Sequence, residues 1–372
     1  MKKILLIFGT RPEAIKMAPL AHELFKYPSN FEVKICVTAQ HREMLDQVLS
    51  FFNILPDYDL NLMRPDQNLY QLSADLLLKV KGVLEDFRPD YVCVHGDTTT
   101  SMISSLASFY FGSKVCHIEA GLRTFNKLSP FPEEINRQLT GRIADLHFSP
   151  TITSKKNLLS EGINADNINV VGNTVIDALY LAIDKLNTYK DEEIRRLDQV
   201  IDRSKKVVLV TGHRRENFGI GFTNICNAIL ELAKRDDVQI IYPVHLNPNV
   251  KGPVFDLLAN VDNILLIEPL GYPGFVYLMR ESYLILTDSG GVQEEAPSLG
   301  KPVIVMRDNT ERPEAVDAGT VILTGTDAEK IVTEVERLLD DPKRYSDVSM
   351  AHNPYGDGTA SYQIAQLLKS SE

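Results

Sequence analysis

The chain has 372 residues, of which 44% are hydrophobic and 24% charged, a composition typical of a globular protein. This length exceeds what one ordinary hydrophobic core holds and predicts two domains. The formal net charge of −11 argues against a nucleic acid or an anionic membrane surface as the main partner, so an anionic ligand would need a local basic pocket.

The cysteines and the first residues of the chain indicate in which cellular compartment the protein is expected. The four cysteines lie inside apolar strand or helix patterns without a CxxC pair: Cys36, Cys93, Cys116 and Cys226. This pattern predicts buried, reduced thiols in a cytoplasmic protein. The start, MKKILLIFGTRPE, has an apolar run of only five residues, 4–8, which predicts a strand and not a signal peptide. No run approaches the roughly 18 apolar residues needed to cross a bilayer.

Short apolar runs alternate with longer helical patterns along the chain. The first series of predicted strands is 4–8, 32–37, 90–94, 114–118, 146–149 and 168–171. The second series is 206–211, 238–243, 264–267, 283–287, 302–306 and 320–323. Helical patterns between them include 41–52, 69–87, 101–111, 174–186 and 328–339. Continuous apolar strands that alternate with helices predict parallel sheets covered on both faces.

A polar, charged stretch at 188–204 separates the two series of strands. We therefore expect an α/β protein with two Rossmann-like, doubly wound parallel-sheet domains that face each other across a cleft. The expected domains are 1–172 and 173–358, with a C-terminal helix at 359–372 that packs back on the first domain. Ligands of such sheets bind at the carboxyl ends of the strands.

An arginine and a lysine follow the first predicted strand, in FGTRPEAIK. Arg11 precedes a proline at a helix start, and Lys16 lies one turn further on. Cations at this end oppose the helix dipole, which favours a bound anion beside them. An ordinary capped turn with solvated cations is the alternative. The stretch contains no GxGxxG, so a dinucleotide cofactor is not predicted.

Two pairs of a histidine and a carboxylate follow neighbouring predicted strands, in HGDTTT and HIEAGLRT. His95 and Asp97 are two residues apart, as are His117 and Glu119, so each pair can share one side of the chain. Parallel strands would bring Asp97 and Glu119 to one wall of the cleft, where converging carboxylates favour proton transfer. A metal site and helix caps, for which Asp97 is suited, are the alternatives.

The stretch SPFPEEINRQL joins a proline-rich loop to two acidic residues at a helix start, Glu133 and Glu134. Acidic residues in a first helical turn are common. The functional interpretation is a third carboxylate on a loop over the cleft.

Positive charge follows the strands of the second series. TGHRREN supplies His213 and Arg214 after one strand, and YPVHLNP supplies His245 after the next. TGHRREN offers no second ligand at metal spacing, so the alternatives are an anion-binding turn and a solvated one.

A glycine turn leads from a buried strand into a helix in TDSGGVQEEA. Ser289, Gly290 and Gly291 form the turn, and backbone N–H groups at such a helix start bind phosphate. Glu295 follows one turn later, within reach of the vicinal hydroxyls of a sugar. TERPEA places Arg312 at a further helix start. Unless this is structural coincidence, the arrangement predicts a site for a nucleotide's diphosphate and ribose.

These stretches together resemble one known family. FGTRPEAIKMAPL, TAQHREMLDQV, HGDTTT, HIEAGLRT, FPEEINR, VGNTVIDAL, TGHRREN, YPVHLNP, TDSGGVQEEAPSLGKPV, TERPEA and NPYGDG occur in this order. They are similar to the signature stretches of the bacterial non-hydrolysing UDP-N-acetylglucosamine 2-epimerases. The resemblance covers nearly the whole chain. It implies the two-domain fold of the GT-B glycosyltransferases, a cytoplasmic homodimer, and neither a nicotinamide cofactor nor a catalytic metal.

The resemblance also implies roles for individual residues. UDP would be held by Arg11, Lys16, His213, Ser289, Gly290, Gly291, Glu295 and Arg312, with Leu270 and Phe275 flanking the uracil. The catalytic groups would be Asp97, Glu119 and Glu133, with His213; Asp97 and Glu119 would also contact substrate. A second, activating UDP-N-acetylglucosamine would meet Gln40, His41, Arg64, Arg214 and His245. Some members of the family carry glutamine where this chain has Glu43.

The implied reaction is reversible conversion of UDP-N-acetylglucosamine to UDP-N-acetylmannosamine, which would supply N-acetylmannosamine for cell-surface polysaccharides. The C2 proton lies beside an acetal and an amide nitrogen, not a carbonyl, so direct removal at neutral pH is implausible. Departure of UDP from C1, with 2-acetamidoglucal as intermediate, makes that proton removable. The individual roles of the three carboxylates stay open. A GT-B glycosyltransferase, a hydrolysing epimerase and a non-catalytic sugar-nucleotide sensor are the alternatives.

Overall fold

The computed structural model describes residues 1–38, 42–62 and 67–371. The chain divides into two units. The N-terminal unit comprises Met1–Leu181 and Tyr355–Glu372, and the C-terminal unit comprises Ala182–Pro354. Each unit holds one sheet whose strands are all parallel, with seven strands in the first and six in the second. This confirms the predicted fold class of two parallel-sheet α/β domains.

The N-terminal sheet follows a doubly wound order, β3-β2-β1-β4-β5-β6-β7. Its strands are β1 Lys2–Phe8, β2 Phe31–Val37, β3 Tyr58–Asp59, β4 Tyr91–His95, β5 Lys114–Ile118, β6 Leu146–Ser149 and β7 Ile168–Val170. The helices of this unit are α1 Arg11–Phe25, α2 Arg42–Phe51, α3 Leu69–Phe87, α4 Thr99–Phe111, α5 Glu133–Ile143, α6 Ile152–Ser160 and α16 Ala360–Ser370. The strand order reverses between β1 and β4, which is where such sheets bind ligands.

The C-terminal sheet repeats the same order, β10-β9-β8-β11-β12-β13. Its strands are β8 Lys206–Thr211, β9 Val238–Pro243, β10 Ile264–Ile267, β11 Leu284–Thr287, β12 Val303–Val305 and β13 Val321–Leu323. Its helices are α8 Glu192–Val200, α9 Ile220–Leu232, α10 Pro248–Leu258, α11 Tyr272–Glu281, α12 Gly290–Glu295, α13 Pro313–Asp317, α14 Ala328–Asp340 and α15 Pro342–Ser349. Its order reverses between β8 and β11.

Burial explains why the apolar runs form strands. Every residue of β4 is buried, and so is every residue of β11. Strands covered by helices on both faces require such continuous apolar sequence. Every predicted strand is present, with its ends displaced by no more than two residues.

The break between the units falls inside helix α7, Thr174–Leu186, after Leu181. The sequence-based boundary, 172/173, precedes this helix. The difference has a physical cause, because the first turns of α7 bond to the returning chain. Asp177 accepts the backbone N–H of Ser361 at 2.7 Å. Helix α16 belongs to the N-terminal unit, where Lys2 Nζ donates to the carbonyl of Leu368 at 2.7 Å.

The polar stretch between the two series of strands contains a helix, α8. Asp191 caps it by accepting the N–H of Ile194 at 2.8 Å, and Ile194 and Leu197 are buried. Within the ranges that the structure describes, no helix is both long enough and apolar enough to cross a membrane.

Candidate active site

The predicted site residues fall into two sets, one in each unit, and each set follows the carboxyl ends of strands. In the N-terminal unit they lie after β1, β4 and β5 and at the start of α5. In the C-terminal unit they lie after β8, β9, β10, β11 and β12. Strand topology therefore accounts for how residues far apart in sequence gather at one edge of each sheet.

The carboxylate of Glu119 lies among polar partners from three other elements. Lys16 Nζ, from α1, donates to Glu119 Oε1. Asn173 Nδ2 donates to the same oxygen at 2.9 Å, and His95 Nε2 lies 3.6 Å from Oε2. Lys16, which the family resemblance assigns to UDP, is thus the counter-ion of this carboxylate in the structure.

His95 is neutral beside this ion pair. Its pKa is lowered to about 4, chiefly by burial, with the Lys16 cation acting in the same direction and Glu119 in the opposite one. A neutral imidazole can donate from only one ring nitrogen, so His95 contributes a dipole and not a charge. The local charge balance is therefore set by Lys16 and Glu119.

Asp97 follows β4 and pairs with an arginine from α5. Arg137 Nη2 donates to Asp97 Oδ2, and Asn136 Nδ2 donates to the backbone carbonyl of Asp97 at 2.9 Å. Thr98 is the N-cap of α4, since its Oγ1 accepts the N–H of Ser101 at 3.0 Å. The interpretation of Asp97 as a helix cap is therefore wrong.

The adjacent acids at the start of α5 have different surroundings. Glu134 is fully buried and accepts the backbone N–H groups of Thr124 at 2.9 Å and Phe125 at 3.1 Å. Burial acts to raise its pKa, but the hydrogen bonds from Thr124 and Gln138 and the Arg137 cation outweigh burial and lower it. Glu133 Oε2, by contrast, is buried without a hydrogen bond to any residue in the described ranges. The hydrogen bonds of Glu134 therefore hold the preceding loop, and Glu133 Oε2 forms none of them.

A buried carboxylate, Glu13, joins the turn that carries Arg11 to the turn that carries Asp97. It accepts the N–H groups of Gly9 at 3.0 Å and Thr10 at 2.7 Å, and the hydroxyl of Thr98 at 2.6 Å. Burial raises its pKa, against the effect of these bonds. Arg11 itself is half-buried at the first position of α1. The capping box of Thr10 and Glu13 fixes where that helix begins.

In the C-terminal unit, Asp288 holds the loop that carries the cationic residues. Its side chain is fully buried, and Oδ2 accepts the backbone N–H groups of His213 and Arg214, both at 2.8 Å. The His213 and His245 rings stack with centroids 5.6 Å apart. Partial burial lowers the pKa of His213, and Asp288 opposes this effect.

Two guanidinium groups meet at the start of α12. A side-chain carbon built on Gly290 would lie 3.8 Å from Arg214 Nη2 and 3.8 Å from Arg312 Nη2. Arg312 Nε also donates to the buried carboxylate of Glu294. Positive charge at a helix start beside bare glycine favours an anion. The structure brings Arg214, which the resemblance assigns to an activator, to this same point.

The remaining residues of this set border the glycine turn or the start of α11. Ser289 occupies the N-cap position of α12, and its N–H donates to Thr287 Oγ1 at 2.9 Å. Glu295 Oε1 would lie 3.4 Å from a carbon built on Gly291. Leu270 and Phe275 are half-buried just before α11 and within it.

Three predicted activator residues, Gln40, His41 and Arg64, lie outside the described residues. Sequence reasoning also missed several partners that the structure reveals, namely Asn173, Glu13 and Glu294. Asn173 lies three positions after the end of β7 at Val170, so the rule that finds sites after strands would have found it. Among the residues that the structure describes, no three His, Cys, Asp or Glu side chains group closely enough to hold a metal ion.

Comparison with known proteins confirms the family resemblance that the sequence motifs indicate. Residues 23–369 match the family model described as UDP-N-acetylglucosamine 2-epimerase. The chain belongs to this family. The UDP-N-acetylglucosamine 2-epimerase of Salmonella typhimurium is 58% identical over 371 residues, which are 99% of this chain and 98% of that protein.

Two crystal structures from the UDP-N-acetylglucosamine 2-epimerase family give the spatial likeness. The Neisseria meningitidis enzyme bound to UDP-GlcNAc has a TM-score of 0.89 and 53% identity, covering 99% of this chain and 100% of that chain. The Methanocaldococcus jannaschii enzyme in complex with UDP-GlcNAc and UDP has a TM-score of 0.80 and 37% identity, with the same coverage of 99% and 100%. The likeness therefore extends over both units.

Proposed function

We propose that this chain converts UDP-N-acetylglucosamine into UDP-N-acetylmannosamine, and back, by inverting C2 of the sugar. The observation that carries the proposal is the 58% identity to a named epimerase over 99% of the chain. The two clusters of carboxylates and cations supply the groups that such a reaction requires.

UDP would bind in the C-terminal unit. The diphosphate would meet the N–H groups of Gly290 and Gly291 and the guanidinium of Arg312, with Arg214 beside it, since anions bind where a helix start and cations coincide. Glu295 would accept the ribose hydroxyls, and Leu270 and Phe275 would flank the uracil. Arg11 would add positive charge from the N-terminal unit.

The reaction would proceed by elimination and re-addition. A carboxylate removes the C2 proton, and the electron pair of the C2–H bond forms a double bond to C1. The C1–O bond breaks, and its electrons leave with UDP. UDP then adds back to C1 while a proton returns to the opposite face of C2. No net oxidation occurs, and donors fixed around the departing diphosphate lower the barrier.

The proton transfers would use Asp97, Glu119 and Glu133. Lys16 and Arg137 keep Glu119 and Asp97 in ion pairs, while Glu133 Oε2 is buried without a hydrogen bond in the described ranges. Carboxylates in unlike surroundings suit a reaction in which one group accepts and another delivers a proton. His213 would help to stabilise the diphosphate as it departs.

A homodimer in the cytoplasm is the expected form of the protein. The four cysteines are free and buried, as suits a reducing compartment. The product would supply N-acetylmannosamine for cell-surface polysaccharides. A second UDP-N-acetylglucosamine, bound near His245, would activate the enzyme.

Incubation with UDP-N-acetylglucosamine alone, followed by proton NMR, tests the proposal. An epimerase that does not hydrolyse its substrate yields UDP-N-acetylmannosamine without any acceptor. Free N-acetylmannosamine with UDP would indicate a hydrolysing enzyme instead. An unchanged spectrum would leave a glycosyltransferase or a sensor, and adding acceptors would separate those two.

A further inference from the structure

Asn173 is a buried polar residue whose groups all have partners. Its Nδ2 donates to Glu119 Oε1 at 2.9 Å, and its Oδ1 accepts the N–H of Val175 at 3.1 Å. Its own N–H donates to the carbonyl of Tyr355 at 2.7 Å. Because Oδ1 is engaged by a backbone donor, the amide orientation is determined, and the group that faces Glu119 must be the NH₂.

Glu119 needs such support, because its conformation is uncommon. Its φ of 61° lies in the left-handed region, which costs free energy for a residue with a side chain. The terminal torsion of a glutamate is also broad, so the carboxylate can rotate unless its oxygens are held. Two donors, Lys16 and Asn173, converge on Oε1, which leaves Oε2 directed toward His95.

We propose that Asn173 is a positioning residue that fixes the rotation of the Glu119 carboxylate for the proton transfer. Lys16 supplies charge, but its long flexible chain sets the direction of the carboxylate poorly. The short amide of Asn173 supplies direction, because its backbone is held at Tyr355 and at the start of α7. The inference rests on the proposed function, in which Glu119 exchanges a proton with C2.

The position of Asn173 also links Glu119 to the two segments that join the units. Helix α7, which begins at the next residue, runs from the N-terminal unit into the C-terminal unit, and Tyr355 is the first residue of the returning segment. At Tyr355 the contact is so close that a carbon on Gly172 would lie 3.1 Å from its carbonyl oxygen. Asn173 therefore has little freedom to move away from Glu119.

Two substitutions at Asn173 separate the effect of losing the donor to Glu119 from the effect of losing the local turn at Val175. Asn173→Asp keeps the acceptor for the Val175 N–H but replaces the donor with a second carboxylate beside Glu119. Asn173→Ala removes both. Asn164 is a matched control, because its Oδ1 accepts an N–H two residues on, that of Asp166, also at 3.1 Å, and the residue is exposed. Asn164→Ala thus loses the same turn without touching Glu119.

The measurements are kcat and KM for UDP-N-acetylglucosamine, the affinity for UDP, and the pH dependence of kcat. Both Asn173 variants should lose about 10- to 100-fold in kcat, the factor expected for one hydrogen bond to a charged group, with KM and UDP affinity within about threefold. In Asn173→Asp, the acid limb of the pH profile of kcat should also move to higher pH, because two neighbouring carboxylates, beside Lys16 and His95, favour a shared proton.

The inference would be overturned if Asn173→Asp kept the wild-type kcat. It would also be overturned if kcat and UDP affinity fell by the same factor while the pH profile stayed unchanged. Asn164→Ala should match the wild type. If the wild-type protein yields UDP-N-acetylmannosamine while the Asn173 variants retain its kcat, the proposed function stands and only the positioning role fails. If the wild type yields none, the proposed function fails and this inference with it.

Discussion

Asp288 accepts the backbone N–H of Arg214 at 2.8 Å through Oδ2, the same oxygen that accepts the N–H of His213 at 2.8 Å. One buried carboxylate from the end of β11 therefore sets the conformation of the loop after β8. A backbone N–H group that is buried without an acceptor destabilises a protein by more free energy than its hydrogen bond would have contributed. The position of the Arg214 and His213 side chains thus depends on a residue that the ligand need not contact.

We expect Asp288→Ala to weaken UDP binding by about 10- to 100-fold and to lower the free energy of unfolding by about 2–4 kcal/mol, because two N–H groups lose a charged acceptor. Asp288→Asn, which keeps an acceptor oxygen, should lose less of both. Calorimetric titration with UDP and urea unfolding measure the two effects. Asp327→Ala removes an exposed cap of α14 and should leave UDP affinity unchanged. Equal UDP affinity in wild type and Asp288→Ala would contradict the role of this loop.

Arg312 forms an ion pair with Glu294 and is proposed to bind the diphosphate, and a double variant can separate the two roles. Arg312→Ala leaves the Glu294 side chain, 2% exposed, as a buried charge without this cation, so we expect stability to fall by about 3–5 kcal/mol. Adding Glu294→Gln should restore much of the stability but not the affinity for UDP, which should stay about 10- to 100-fold weaker. Arg337→Ala, at an exposed ion pair, is the control. Recovery of UDP affinity in the double variant would count against a phosphate contact.

Buried histidines should make the N-terminal unit sensitive to acid. Burial lowers the pKa of His117 to about 3 and that of His147 to about 4. Above pH 6.5 both rings are neutral in the folded and in the unfolded chain. Below pH 6.5 the histidines of the unfolded chain bind protons, whereas those of the folded chain do not. Stability should therefore fall as the pH drops from about 6.5 toward 4, by up to about 1.4 kcal/mol per pH unit for each ring.

Urea unfolding followed by circular dichroism, at pH values from 7.5 down to 4.5, measures this loss. His117→Gln, whose amide can still donate to the Gly96 carbonyl as His117 Nε2 does at 2.7 Å, should reduce the slope. The same change at the exposed His352 should not. A stability independent of pH across this range would refute the prediction.

Much of the fold was readable from the sequence because parallel strands need continuous apolar runs. Strand β11 is an example, with every side chain buried. Strand β3 was missed because it is only Tyr58–Asp59 at the sheet edge. Helix α8 was missed because only Ile194 and Leu197 of its charged sequence are buried.

The candidate site was readable in part for the same reason, since strand ends mark it. Its side-chain partners were not readable. Arg137 is 40 residues from Asp97, and Asn173 is 54 residues from Glu119. Such pairs depend on how strands are ordered in the sheet, which a single sequence does not encode locally. The assigned roles of the site residues stay predictions.

Activation by substrate predicts a kinetic asymmetry. If UDP-N-acetylglucosamine bound at a second site favours the active conformation, the reverse reaction from pure UDP-N-acetylmannosamine should begin with a lag that added UDP-N-acetylglucosamine removes. His245→Ala, which loses the ring stacked on His213, should weaken the dependence on added activator. Progress curves with and without a small amount of UDP-N-acetylglucosamine measure it. Hyperbolic kinetics without a lag would argue against the second site.

The elimination mechanism makes two isotopic predictions. In deuterium oxide the product should carry deuterium at C2, because the proton passes to a carboxylate that exchanges with solvent. Since the C1–O bond breaks, a label in the bridging oxygen should scramble into the non-bridging positions of the β-phosphate. An oxidation and reduction at another carbon would leave the bridging oxygen in place. Retained hydrogen at C2 together with an unscrambled label would rule out the elimination.

The same assays identify the groups that move the proton. Asp97→Asn, Glu119→Gln and Glu133→Gln keep side-chain shape but remove the proton-accepting charge, so each should lower kcat by about 10²–10⁴-fold with much smaller effects on UDP affinity. Asp166→Asn, at an exposed position, controls for the loss of charge. A variant that completes elimination but fails re-addition should release 2-acetamidoglucal and UDP, both detectable by NMR. A carboxylate whose removal leaves kcat and C2 exchange unchanged has no part in the proton transfer.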